Sequence, residues 1–120
     1  MKDFKKLNIW QKGMEIVEDA YRIAGMLPIT EKFSISSQLT SVAISIPTNI
    51  AEGGGRKSPK DYNRFLEYSL GSAFEVETLL LIIQRLKMID IDLIDTVIEK
   101  IIEEQKMLQS FISKVSDSIK

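Results

Sequence analysis

Apolar residues recur at spacings of three and four along most of the chain, and four stretches carry that helical rhythm. In the first, Trp10, Met14, Val17, Tyr21 and Ala24 form one stripe from about Ile9 to Met26. Asn8 with Gln11 reads as a capping box, and Pro28 marks the exit. The second stretch places Ile35, Leu39, Val42, Ala43, Ile46 and Ile50 on one face, with Ser34 as N-cap and Gly53-Gly54-Gly55 as terminator. Pro47 lies inside it and removes the hydrogen bond to the Ala43 carbonyl, at a cost of about 3 kcal/mol in an isolated helix. Because the apolar register continues to Ile50, the pattern predicts one helix kinked at Pro47. Ser58-Pro59-Lys60-Asp61 supplies an N-cap, a proline at the first helical position and an acid in the first turn. A seam of Tyr62, Phe65, Ser69, Ser72, Val76, Leu79, Ile83 and Leu86 follows. The fourth helix starts near Asp92 and runs through Ile94, Val97, Ile101, Leu108, Ile112 and Val115, interrupted by Gln105. No alternating strand pattern competes, and the connections are short. The expectation is an all-α, antiparallel up-down four-helix bundle forming a single domain over residues 1–120.

Two helices carry more than a core stripe. On the third, Leu66, Leu70, Phe74 and Leu81 make a second apolar row, and the run Leu79 to Ile83 is apolar on every side. On the second, Gln38, Ser41, Ser45, Thr48, Asn49 and Glu52 form a stripe of mostly amides and hydroxyls where Lys and Glu usually meet solvent. Either both faces are packed inside a monomer, or the chain self-associates through them, with Leu66, Leu70, Phe74 and Leu81 as interface candidates.

Composition removes much chemistry. The 120 residues include neither histidine nor cysteine, which excludes Ser/His/Asp and Cys/His nucleophiles, the usual zinc sites and disulfides. We expect no enzyme, no catalytic residue, no metal and no cofactor. Glu67, Glu75 and Glu77 could be imagined as an acid/base or metal set, but Glu77 lies well round the helix from the other two, so a solvated or interface role is expected. Met1-Lys2-Asp3-Phe4-Lys5-Lys6 has no apolar segment after it, and the uncharged run from Ser34 to Ala51 is rich in Ser, Thr, Gln and Asn. Neither reads as a secretion signal or a membrane span, so a cytoplasmic location without membrane contact is expected.

Net charge is only −1, yet its distribution is uneven. Between Gly53 and Arg64, four basic residues (Arg56, Lys57, Lys60 and Arg64) stand against Asp61, a local +3 on a glycine-rich turn entering a helix. That is a candidate anion or phosphate surface, to which Lys2, Lys5, Lys6 and Lys12 can add. The alternative is a solvated loop with routine surface charge. The glycines lack P-loop spacing and follow a helix, so they are no nucleotide fingerprint. From Asp90 to Glu104, six acids against Lys100 give −5. Such polarity suits head-to-tail subunit contacts or nucleic-acid binding at one end.

Several segments together resemble a known family: Leu7-Asn8-Ile9-Trp10-Gln11-Lys12-Gly13-Met14, Leu27-Pro28 with Glu31 and Phe33, Gln38, Ser45-Ile46-Pro47-Thr48-Asn49-Ile50-Ala51-Glu52-Gly53, Arg56-Lys57-Ser58 and Gly71-Ser72-Ala73-Phe74-Glu75. They are similar to the four-helix-bundle proteins encoded in intervening sequences of bacterial 23S rRNA genes, over nearly the whole chain. The resemblance implies a bacterial cytoplasmic protein forming a ring-shaped homopentamer. It also implies a likeness to the accessory protein of diversity-generating retroelements, whose pentamer binds a reverse transcriptase and nucleic acid through a basic surface. The ribosomal-protein label often given to such chains reflects gene location. The resemblance makes Gln38, Ser45, Asn49 and Glu52 the motif residues on the polar stripe, and Arg56 and Lys57 those on the basic turn. Many relatives carry an arginine pair soon after the glutamine; here Thr40-Ser41 stands there, removing two positive charges.

The functional expectation is a homo-oligomeric bundle that binds rRNA or other structured RNA, or a nucleic-acid-handling protein, through Lys5, Lys6, Lys12, Arg56, Lys57, Lys60 and Arg64. The alternative is an oligomeric scaffold that binds protein and touches no nucleic acid.

Overall fold

The computed structural model describes residues 3–118, apart from the side chain of Ile91. Four long helices follow one another: α1 (Asn8–Met26), α2 (Ser37–Gly54), α3 (Pro59–Arg85) and α4 (Ile91–Asp117). Each packs against its sequence neighbours, and α1 also packs on α4, closing an antiparallel four-helix bundle of 48 × 22 × 20 Å. Among the described residues, no helix is long and apolar enough to cross a membrane.

Local chemistry explains the boundaries, with several departures from the sequence reading. Leu7, not Asn8, is the N-cap of α1, and no side chain caps it. The Gln11 amide instead donates to the Lys5 carbonyl (3.1 Å), tying α1 to a short turn of 3₁₀ helix at Phe4–Lys6. Ser34 caps nothing, because its hydroxyl turns back to the carbonyl and carboxylate of Glu31. The chain coils earlier, through a 3₁₀ turn at Ile29–Glu31 and a π-helical turn at Lys32–Ser36, and runs directly into α2. α2 continues through Pro47 as one element. Side-chain hydroxyls and an amide crowd its carbonyls there: Thr48 on Ile44 (2.8 Å), Asn49 on Ser45 (2.8 Å), and Ser69 of α3 on Ile46 (2.9 Å). Ser58 caps α3 as expected, accepting from the Asp61 N–H at 3.1 Å. Asp90 does the same for α4.

Two glycines sit where helices pack closely. A Cβ on Gly53 would lie 2.9 Å from Tyr62 Cδ1 and 3.0 Å from Phe65 Cβ, so α2 and α3 close tightly at the turn only because none is there. A Cβ on Gly13 would meet Glu104 and Ile46 at 3.3 Å, where α1, α2 and α4 converge.

The core is aliphatic, with Ile16, Ile23, Leu39, Ile46, Ile50, Leu66, Leu80, Ile83, Ile94, Ile101 and Leu108 fully buried. Leu66 therefore corrects the sequence reading, since it lies inside the protomer and offers nothing to a second copy. α3 touches both α2 and α4, so its buried arc is broader than one seam and turns Leu66 and Ala73 inward, leaving Leu86 largely exposed. Leu70 is half-buried, while Phe74 and Leu81 remain exposed.

Polar groups also enter the core. Gln105 is buried and donates to the Glu77 carboxylate (2.8 Å) and the Ala73 carbonyl (3.4 Å), joining α4 to α3. Lys100 bridges to Asp19 at 2.8 Å and to Glu15 at 3.5 Å across the α1/α4 seam; the hydrogen bond to Asp19 raises its pKa. Glu104 is fully buried, yet neither carboxyl oxygen has a hydrogen-bond partner among the described residues. Burial pushes its pKa up to about 8, and Lys12 only partly opposes this.

Candidate nucleic-acid interface

Up-down topology brings the start of α1, the α2/α3 turn and the end of α4 to one end of the bundle. Residues 3–11, 52–67 and 106–118 place eight basic and five acidic side chains there, a formal +3. The remaining described residues, 12–51 and 68–105, carry six basic against twelve acidic, a formal −6. A near-neutral chain thus folds into an electrostatically two-ended rod.

The basic end has internal structure. Arg56 lies over the Phe65 ring at 4.3 Å and Arg64 over the same ring at 5.4 Å, so one aromatic side chain organises both guanidinium groups. Arg64 also reaches Asp61 at 3.6 Å, an exposed contact of small energetic weight. Lys5, Lys6, Lys57 and Lys60 are exposed at this end. Lys12 is not part of the surface: it is half-buried and paired at 2.8 Å with Glu103 of α4, whose pKa the contact lowers. Lys2 lies outside the described residues.

The α4 residue Lys114 joins this group, and sequence reasoning missed it. It is 50 residues or more from the glycine-rich turn, so no local charge count includes it. Only the bundle topology, which returns the end of α4 to the start of α3, could have signalled it. Lys114 and Phe111 line two adjoining cavities of about 380 Å³ each. The first is completed by Arg56, Lys57, Ser58 and Tyr62, the second by Lys6, Leu7, Asn8 and Met107. Tyr62 and Phe111 pack edge to face at 5.8 Å, and burial raises the Tyr62 pKa. Beside them Asn63 anchors α3 to the Ile112 carbonyl and the Ser116 hydroxyl of α4, and its own Oδ1 has no partner among the described residues.

The polar stripe of α2 divides between two grooves. Gln38 and Ser45 face α3, where Gln38 donates to Glu75 (3.5 Å) and Ser45 lies 2.6 Å from the Ser72 hydroxyl. Asn49 is half-buried and bonds within its own helix. Glu52 is exposed and lines an apolar groove of about 430 Å³ between α1 and α2, with Trp10, Met14, Val17, Ile44 and Pro47. The third-helix carboxylates diverge: Glu75 meets α2, Glu77 meets α4, and Glu67 is exposed.

Phe74 and Leu81 flank Glu77, which meets Gln105 of α4, at helical spacing, so the row Leu70, Phe74, Leu81 lies along the α4-facing edge of α3. That edge lies opposite the α1/α2 groove, because α1 and α3 are each flanked by α2 and α4.

Comparison with known proteins places this architecture. The chain is similar to a crystal structure from Bacteroides thetaiotaomicron, a protein of unknown function from the S23 ribosomal protein family. The two share 25% identity with a TM-score of 0.81, covering 87% of this chain and 97% of that one. No curated protein matches it. The family model of the 23S rRNA-intervening sequence protein matches residues 5–110, nearly the whole bundle. The chain belongs to the 23S rRNA-intervening sequence protein family.

Proposed function

We propose that this protein is a non-enzymatic, self-associating helical bundle of the bacterial cytoplasm that binds structured RNA through its basic end. The observation carrying the reading is the convergence of Lys5, Lys6, Arg56, Lys57, Lys60, Arg64 and Lys114, interleaved with Tyr62, Phe65 and Phe111, at one end of a bundle otherwise acidic. Phosphates supply the attraction such a surface needs, and the acidic remainder keeps RNA from coating the whole molecule. Self-association is supported by two apolar faces on opposite sides, the α1/α2 groove and the Leu70, Phe74, Leu81 row, which suit head-to-tail contacts. A ring of five, as the family resemblance implies, would present five basic ends together and multiply weak contacts.

Electrophoretic mobility shift with 23S rRNA fragments at two salt concentrations tests the RNA reading, using wild type and the Arg56→Glu/Lys57→Glu double variant. Binding that weakens with salt and is lost in a variant of unchanged mass supports it; no binding by wild type at low salt refutes it. A second reading, a scaffold for protein alone, is favoured by Ile29 and Phe33, which are 83% and 88% exposed beside the acidic end. Light scattering tests the assembly, and a monomer at micromolar concentration would remove it from the proposal.

A further inference from the structure

We infer that the two adjoining cavities at the basic end take consecutive unpaired nucleotides, so that the protein reads a single-stranded segment of its RNA in preference to a duplex; this inference rests on the RNA reading above. Each cavity is an open cleft of about 380 Å³. Phe111 and Lys114 line both clefts. One cleft is lined by Tyr62 and Phe111, which pack edge to face, together with Arg56 and Lys57; the other is lined by Phe111 with Lys6 and Lys114. Aromatic or apolar surface suits a base, and a cation common to both clefts suits the phosphate linking two nucleotides. A paired helix hides its base faces by stacking and presents only backbone, so it can use the cations but not the rings. Arg56 is already held over Phe65 at 4.3 Å, which limits the ordering that binding would require.

Charge alone would favour a duplex, which carries two phosphates per base pair, so a preference for the single strand reports the rings. The test is fluorescence anisotropy with one labelled rRNA-derived strand, free or annealed to its full complement, titrated with wild type, Phe111→Leu and Lys114→Ala. Wild type is expected to bind the unpaired strand at least about tenfold more tightly than the duplex. Phe111→Leu should erase that preference, and Lys114→Ala, a change at an exposed side chain, should weaken both RNAs. Equal wild-type affinity for the two, or a preference that survives Phe111→Leu, overturns the cleft assignment while leaving RNA binding in place. Absence of binding to either strand overturns both.

Discussion

Glu104 offers the sharpest test of how this bundle is held together. Its carboxyl is fully buried among α1, α2 and α4, beside Gly13 and without a hydrogen-bond partner among the described residues. Lys12 and Glu15 of α1 and its own neighbour Glu103 are the charged groups that act on it. A carboxyl held near pKa 8 in the fold and near 4.5 when unfolded binds more protons folded than unfolded between those values. Stability is therefore greatest below about pH 4.5 as far as this group is concerned, falls as pH rises toward 8, and then levels. At about 1.36 kcal/mol per pH unit, the full window corresponds to about 5 kcal/mol, an upper bound because water entry and relaxation relieve part of it. The chain has no histidine or cysteine, the side chains whose ordinary titration would overlap that window. Urea unfolding at pH 5, 6, 7 and 8 should show wild-type stability declining by several kcal/mol. Glu104→Gln should flatten the profile. Glu104→Met, which removes the charge and keeps an unbranched shape, should add about 2–4 kcal/mol at pH 8 and much less at pH 5. Wild-type stability that is flat or rising from pH 5 to 8 would refute the placement of an unpaired carboxyl in this core.

Three further substitutions probe single joints. Gly53→Ala forces a Cβ to within 2.9 Å of Tyr62 and should cost about 1–3 kcal/mol by chemical denaturation while separating α2 from α3 at the basic end. Lys87 ends α3 with φ 52°, a left-handed conformation that a side chain disfavours, so Lys87→Gly should raise stability by about 0.5–1 kcal/mol in the same assay. Asn49→Leu removes an amide bonded to the Ser45 carbonyl in its own helix and should lower stability by about 1 kcal/mol in thermal unfolding.

Helices were legible in the sequence because apolar spacing survives any detail of packing, and Ser58 with Pro59 marked one start to the residue. What spacing left open was rotation. Leu66 and Phe74 both stand in the second apolar row of α3, but only the pairing of α3 with two neighbours turns Leu66 inward. Glu104 was counted with the surface acids by residue type, although it falls three residues after Ile101 and four before Leu108, on the buried stripe itself. Position on the stripe outweighed charge. The basic turn was visible as a local cluster, whereas Lys114 and the withdrawal of Lys12 into an ion pair depend on which helices meet.

RNA binding at the basic end is read most plainly from the salt dependence of affinity. With an rRNA fragment, the logarithm of the wild-type binding constant should fall linearly with the logarithm of salt concentration. For Arg56→Ala/Lys57→Ala the slope should be shallower by about 1.4–1.8, as two lost phosphate contacts require. An unchanged slope in that variant, or wild-type affinity insensitive to salt, would contradict it.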